Sequence, residues 1–223
     1  MSTHDTTVGF SPALAAPAWG EQQLAVELRA GSVEAFNYLI SVYHGPLFRF
    51  LSRVCHDRED AADVLQDVFL KVFRAAASFE GKSSLKTWLY QIALHEASNH
   101  RRWWRRHKSQ ETSLEEPDAE GHAGWSERLA DGKESPLGLA LRNEQRRRLQ
   151  QMLAAVPQPF QTTLVLREME GFSYDEIAEI EQVRVGTVKS RLLRGREMLR
   201  VQWEQQTSAE AGGNGLRKAE NHV

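Results

Sequence analysis

The sequence predicts an all-α chain: two small helical domains joined by a flexible acidic linker, the second containing a helix-turn-helix. Three observations carry this. Nearly every apolar segment recurs with helical spacing, and no stretch alternates convincingly with period two. Residues 109–137 interrupt the pattern with Pro117, Pro136, three glycines and most of the acidic excess. The net charge of −2 conceals a segregation along the chain. Arg101, Arg102, Arg105, Arg106 and Lys108 form one basic block, and Arg184, Lys189, Arg191, Arg194, Arg196 and Arg200 form another; eight acids between Glu111 and Glu134 lie between them.

With 41% hydrophobic and 26% charged residues the chain can bury a core. A mean hydropathy of −0.52 and broken apolar runs argue against a spanning helix, so no membrane insertion is expected and the cytoplasm is the expected location. Residues 1–20 have no basic n-region or sustained apolar stretch; they read as a disordered lead-in, not a secretory signal. One cysteine, Cys55, forms no internal disulfide and no cysteine zinc cluster. The chain has no HExxH, P-loop or nucleophile-elbow pattern, and its eight histidines lack metal-ligand spacing. No enzyme, metal or cofactor is therefore expected.

The first domain is expected over residues 21–108. GSVEAFNYLISVYHGPLFRFLSRV reads as two helices broken around Gly45-Pro46. The next, DREDAADVLQDVFLKVFRAA, has acids in its first turn, where the helix dipole favours them. It places Ala61, Leu65, Val68 and Val72 on one inward stripe and Asp63, Gln66, Asp67 and Lys71 on the other face. A loop, SFEGKSS, leads to a helix whose Leu85, Trp88, Leu89 and Ile92 suit the same core, giving a four-helix module.

After the linker, the second domain is expected over 138–203, beginning with a helix from Leu139 to Val156. A second helix, QTTLVLREMEG, ends at Gly171, suited to a left-handed cap. Ser173 and Glu176 have capping-box spacing and open YDEIAEIE, which the turn QVRVG separates from TVKSRLLRGREMLRVQW. A short helix, a tight turn and a basic helix make a helix-turn-helix. At 100° per residue Val185, Val188, Leu192 and Leu199 share the core arc. Thr187, Ser190, Leu193 and Arg194 lie opposite, with Lys189 and Arg191 at the margins. Such a face supplies what duplex DNA presents contacts for: Arg forks onto guanine, Lys and Ser onto phosphate or base acceptors, Leu against a thymine methyl. The Gly-rich polar residues 204–223 are expected to be disordered.

Two motifs together resemble the extracytoplasmic-function group of sigma-70 RNA polymerase sigma factors, over most of residues 21–203. DVLQDVFLKVF at Asp63–Phe73 and TWLYQIA at Thr87–Ala93 are similar to that family's first domain, and LREMEGFSYDEIAEIEQVRVGTVKSRLLRGREML to its helix-turn-helix. The resemblance implies an alternative sigma factor that binds core RNA polymerase, recognises minus-35 and minus-10 promoter DNA and promotes local melting. Polymerase binding would fall to Asp63, Gln66 and Asp67, and minus-35 recognition to Thr187, Lys189, Ser190, Arg191, Leu193 and Arg194. For minus-10 DNA the set is Phe79, Lys82, Ser84, Lys86, His95, Asn99, Arg101, Arg102, Trp103 and Arg105. His95 stands where the family pattern TWLYxIAxN often carries Asn; it either lines a pocket for a flipped base with Asn99, or packs or contacts phosphate. Trp103 and Trp104 either stack on exposed bases or pack in the core. An anti-sigma factor is the implied regulatory partner. The competing reading is a helix-turn-helix regulator that binds duplex operator without polymerase. A membrane-surface protein and a nucleic-acid enzyme rank below it, because the Trp-Arg segment has an interrupted apolar side and no acidic metal cluster is present.

Overall fold

The computed structural model describes residues 19–55, 58–108 and 136–216. Helix α1 (Glu21–Arg29) buries Leu24 and Leu28 and ends at Gly31, whose φ of 79° reverses the chain. Ser32 then caps α2 (Val33–Val54), its Oγ accepting from the Ala35 amide at 3.2 Å. The break expected at Gly45-Pro46 does not occur, because α2 runs straight through Pro46. Proline forfeits one backbone hydrogen bond. Here Leu39, Leu47, Phe50 and Leu51, all with no exposed surface, hold the helix in register on both sides of it. Lead-in residue Trp19, expected to be disordered, packs partly against this core.

Helix α3 (Arg58–Ala75) buries Ala61, Leu65, Val68 and Val72, as the stripe predicts, and Val64 as well. A 3₁₀ turn at Ala76–Ser78 and a reversal at Gly81, with φ of 70°, lead to α4 (Leu85–Lys108). Ser84 caps α4 by accepting from the Thr87 amide at 3.0 Å. Leu85, Leu89, Tyr90, Ile92, Ala93 and Ala97 join the core shared by α2 and α3.

The linker expected over 109–137 lies outside the described residues as far as 135. Pro136 instead begins α5 (Pro136–Ala154), a first helical position where its missing N–H costs nothing. After Pro157 come α6 (Gln158–Leu164) and a π-helical turn, Val165–Met169, that ends at Gly171 with φ of 76°. Helix α7 (Tyr174–Glu181) carries the expected capping box, with Ser173 and Glu176 bonding each other's backbone. Gln182 adopts the left-handed conformation, φ 54°, and turns the chain into α8 (Val185–Leu216). The tail expected to be disordered from 204 continues this helix to Leu216; residues 217–223 lie outside the described range. Extending a helix requires no new nucleus, and Arg200 bridges Glu197 and Glu204 across that boundary.

The two modules touch. Gln158 and Gln161 donate their side-chain amides to the carbonyls of Val54 and Arg53 at 2.7 and 2.9 Å, satisfying acceptors that the end of α2 leaves open. The Phe172 ring meets Tyr90 edge-on at 4.9 Å. The Tyr90 hydroxyl donates to Glu170 Oε2 at 2.6 Å, with Arg53 at 3.8 Å from the other carboxylate oxygen. Burial first, and then the bond to Glu170, push the Tyr90 pKa above its usual range and keep it a donor.

Candidate nucleic-acid interface

Helix α8 is positioned by its buried arc: Val188 and Leu192 are 0% and 1% exposed. That turns Lys189, Ser190, Leu193 and Arg194 outward, Leu193 at 72% exposure, with Thr187 partly covered beside them. A leucine so exposed beside cations offers the apolar contact that a thymine methyl accepts. The structure therefore brings five of the six predicted minus-35 residues onto one surface. The sixth, Arg191, turns inward, its Nη1 donating to Glu181 Oε2 at 2.6 Å. Beyond Arg194 the cations face acids: Arg196 meets Glu168 at 2.6 Å and Arg200 meets Glu197 at 2.7 Å. Arg184, outside the predicted set, is exposed at the turn that opens α8, where backbone amides also point outward. Its place in the basic block was the available signal.

The predicted minus-10 residues are not one cluster. His95 is exposed, Asn99 is partly covered and accepts from Arg102, and at 100° per residue the three follow one ridge of α4. Arg105 is exposed, while Arg101 is half-buried, its pKa lowered by burial and by neighbouring Arg105. Trp103 and Trp104 are 50% and 38% exposed, which excludes the core-packing alternative. Trp103 instead stacks on His107 with centroids 4.4 Å apart and meets Trp104 edge-on at 6.1 Å.

At the other end of α4 the predicted residues have structural duties. Phe79, 8% exposed, packs on Trp88 at 4.8 Å. Ser84 is occupied as the helix cap, and its Oγ also lies 2.8 Å from Thr87 Oγ1. Lys86 donates to the Glu170 carbonyl at 2.7 Å and sits 4.2 Å over the Phe172 ring. Lys86 points roughly 180° from His95 around α4 by the helical period, so the loop and the His95 ridge do not converge. Lys82 remains exposed beside Glu80.

On α3, Asp63, Gln66 and Asp67 are all exposed. Leu70 and Phe73, which sequence reasoning did not assign, stand beside them at 48% and 58% exposure. Phe73 meets Phe36 edge-on at 5.1 Å, and Lys71 joins Glu96, tying α3 to α4. Their signal was an apolar residue on the polar side of an amphipathic helix. Among the described residues no group of three or more His, Cys, Asp or Glu side chains is placed to hold a metal ion, and no helix is long and apolar enough to cross a membrane.

Comparison with known proteins agrees with both modules. Sigma-70 region 2 matches residues 39–108 and Sigma-70, region 4 matches residues 146–199. The RNA polymerase sigma-H factor of Pseudomonas aeruginosa is 36% identical over 179 residues, covering 80% of this chain and 91% of that protein. The ECF RNA polymerase sigma-E factor of Haemophilus influenzae is 38% identical over 180 residues, covering 80% and 93%. Among solved structures, the sigma factor RpoE of Bartonella quintana, in complex with the anti-sigma factor NepR, superposes with a TM-score of 0.59 at 25% identity, covering 77% of this chain and 98% of that one. CnrH, in complex with the cytosolic domain of CnrY, shares the fold with a TM-score of 0.59 at 20% identity, covering 83% and 97%. A helix-turn-helix in one module, a basic helix with exposed tryptophans in the other and these relatives lead to one conclusion: the chain belongs to the extracytoplasmic-function sigma factors of the sigma-70 family and acts with RNA polymerase in promoter recognition.

Proposed function

We propose that this chain docks on core RNA polymerase through the outward face of α3, reads a minus-35 element with α8 and a minus-10 element with α4, and promotes local melting there. The observation that carries the reading is the pairing of two different basic surfaces in one chain. One face of α8 presents Lys189, Ser190, Leu193 and Arg194, a set suited to the edges and phosphates of paired DNA. The end of α4 presents Arg102, Arg105 and exposed Trp103 and Trp104, a set suited to phosphates beside unstacked bases. On α3, Asp63, Gln66 and Asp67 surround the apolar Leu70, a mixed surface that fits a protein partner better than a nucleic acid. Bond formation belongs to the polymerase; this chain supplies recognition in the cytoplasm.

Geometry adds an opening step. Minus-35 and minus-10 elements lie about 25 base pairs apart, roughly 85 Å at 3.4 Å per step. The first turn of α4 touches Glu170 and Phe172, so the two modules must separate before both read one promoter. Residues 109–135 reach up to about 90 Å when extended. A protein that holds the modules together would silence the chain. NepR is an anti-sigma factor bound to the similar RpoE, and an anti-sigma partner is proposed here too.

The test mixes the purified chain with core polymerase and genomic fragments, then maps transcript starts and permanganate-reactive thymines. Expected are starts downstream of a common two-part sequence, with thymines reactive near minus 10 only when chain and polymerase are both present. Duplex binding by the chain alone, without transcripts, would establish an operator-binding regulator in its place.

A further inference from the structure

Lys189 and Arg191 lie on opposite margins of the recognition face, each about 100° from its centre by the helical period, so periodicity gives them equal claim on DNA. The structure separates them. Lys189 is exposed, whereas the Arg191 side chain keeps 25% of its surface and bonds Glu181, which keeps 3%. The second carboxylate oxygen of Glu181 accepts from Thr163 Oγ1 at 2.6 Å. Glu181 is the last residue of α7, where the negative end of the helix dipole disfavours an acid. Burial also pushes its carboxyl above the usual range, against the opposing pull of Thr163 and Arg191. An ionised acid at such a place needs a fixed cation against it.

Thr163 lies in α6, Glu181 in α7 and Arg191 in α8, so one hydrogen-bonded triad joins three of the four helices of the reading module. Four residues beyond Arg191 the α8 backbone presses on α6: a Cβ at Gly195 would stand 2.8 Å from Leu164 Cδ1. The close approach limits how far α8 can shift, and the triad limits how far it can turn. We infer that Arg191 is a positioning residue that, with Glu181 and Thr163, sets the roll of α8 so that Lys189, Ser190, Leu193 and Arg194 meet the minus-35 groove, and that it reads no base itself. The inference rests on α8 being the minus-35 reader.

The test uses holoenzyme with core polymerase and a promoter library randomised at minus 35 over a constant minus-10 element. Glu181→Gln, Arg191→Met and the double variant should flatten the selected minus-35 preference to the same degree, on the order of tenfold, as when a specific contact is lost. Thr163→Val, which keeps size and charge, should shift it in the same direction but less, and Arg191→Lys should restore most of it. Thermal unfolding monitored by circular dichroism checks that each variant is folded; if Arg191→Met is not, Glu181→Gln and Thr163→Val carry the test. Wild-type preference in both Glu181→Gln and Thr163→Val overturns the inference. So does Arg191→Met lowering occupancy evenly over all sequences with a salt slope reduced by about 0.9, the mark of a lost phosphate contact. Wild-type holoenzyme that selects nothing at minus 35 refutes the reading of α8 itself.

Discussion

Helices α4 and α8 each carry a dense run of cations, and the structure treats the two runs differently. On α8 the apolar arc is narrow and the residues proposed to face DNA fall together opposite it, so one surface holds Lys189, Ser190, Leu193 and Arg194. On α4 three neighbours compete for the helix: α2 and α3 take the core side, and the second module takes the first turn through Lys86, Thr87 and Tyr90. What remains exposed is the His95 ridge and the Arg-Trp end. On α8 tertiary contacts take only Arg191, at the margin of the face its period assigns. A helix packed on two sides loses part of that face to tertiary contacts.

The largest expected effect separates neighbours on α8. Leu192→Ala should cost about 2–5 kcal/mol of unfolding free energy, because it empties a fully buried site. Leu193→Ala should stay within about 0.5 kcal/mol in the same urea titration yet weaken promoter binding. Equal stability losses in the two variants would break the claim that α8 has one buried and one reading face.

Next comes the contact that makes α4 different. Glu170→Ala leaves the buried Tyr90 hydroxyl without its acceptor and should cost about 1–3 kcal/mol. Amide exchange should rise in the first turn of α4 and the last turn of α2 while the α8 interior is unchanged. Unaltered exchange at Lys86–Tyr90 would mean the modules do not rest together in solution.

Arg194→Ala should weaken holoenzyme binding by about 1–3 kcal/mol on the selected minus-35 sequence and much less on a scrambled one. Lys189→Ala should weaken both alike, as a phosphate contact does. The matching experiment on α4 is Arg102→Ala against Lys86→Ala. Arg102→Ala should only weaken binding, whereas Lys86→Ala should also loosen the closed form, because the structure gives Lys86 a partner in the second module.

The smallest effect is at the start of the helix-turn-helix. Glu176 has its pKa lowered, first by the Ser173 amide and then by the Ser173 hydroxyl. Its folded-state pKa lies below its unfolded value, so the stability it contributes is present above the unfolded value, near 4.5, and is lost as pH falls through the folded one. Glu176→Ala should cost less than about 1 kcal/mol at neutral pH, because solvent screens this largely exposed carboxylate, and should abolish that part of the acid sensitivity, read from urea midpoints at pH 7 and pH 3.

Local patterns foretold much of this molecule. The α3 stripe, the capping box at Ser173, the left-handed Gly171 and the outward face of α8 depend on residues within one or two turns of each other, and local physics decides them. Pro46 misled for the opposite reason: its local penalty is real, but buried neighbours on both sides outweigh it. Phe79 and Ser84 gained partners that their residue types did not announce: a packed ring and a helix cap follow from the position of Trp88 and the start of α4.

The sequence by itself determined which side of α3 and of α8 is buried, where the cations concentrate and that two basic surfaces share one chain. Tertiary structure alone decided which cations are committed elsewhere. Arg191 meets an acid ten residues away and Lys86 meets a carbonyl eighty-four residues away. Helical periodicity assigns a side chain its direction, and an ion pair or hydrogen bond also requires a partner within about 3 Å, which only the packing of one helix against another supplies.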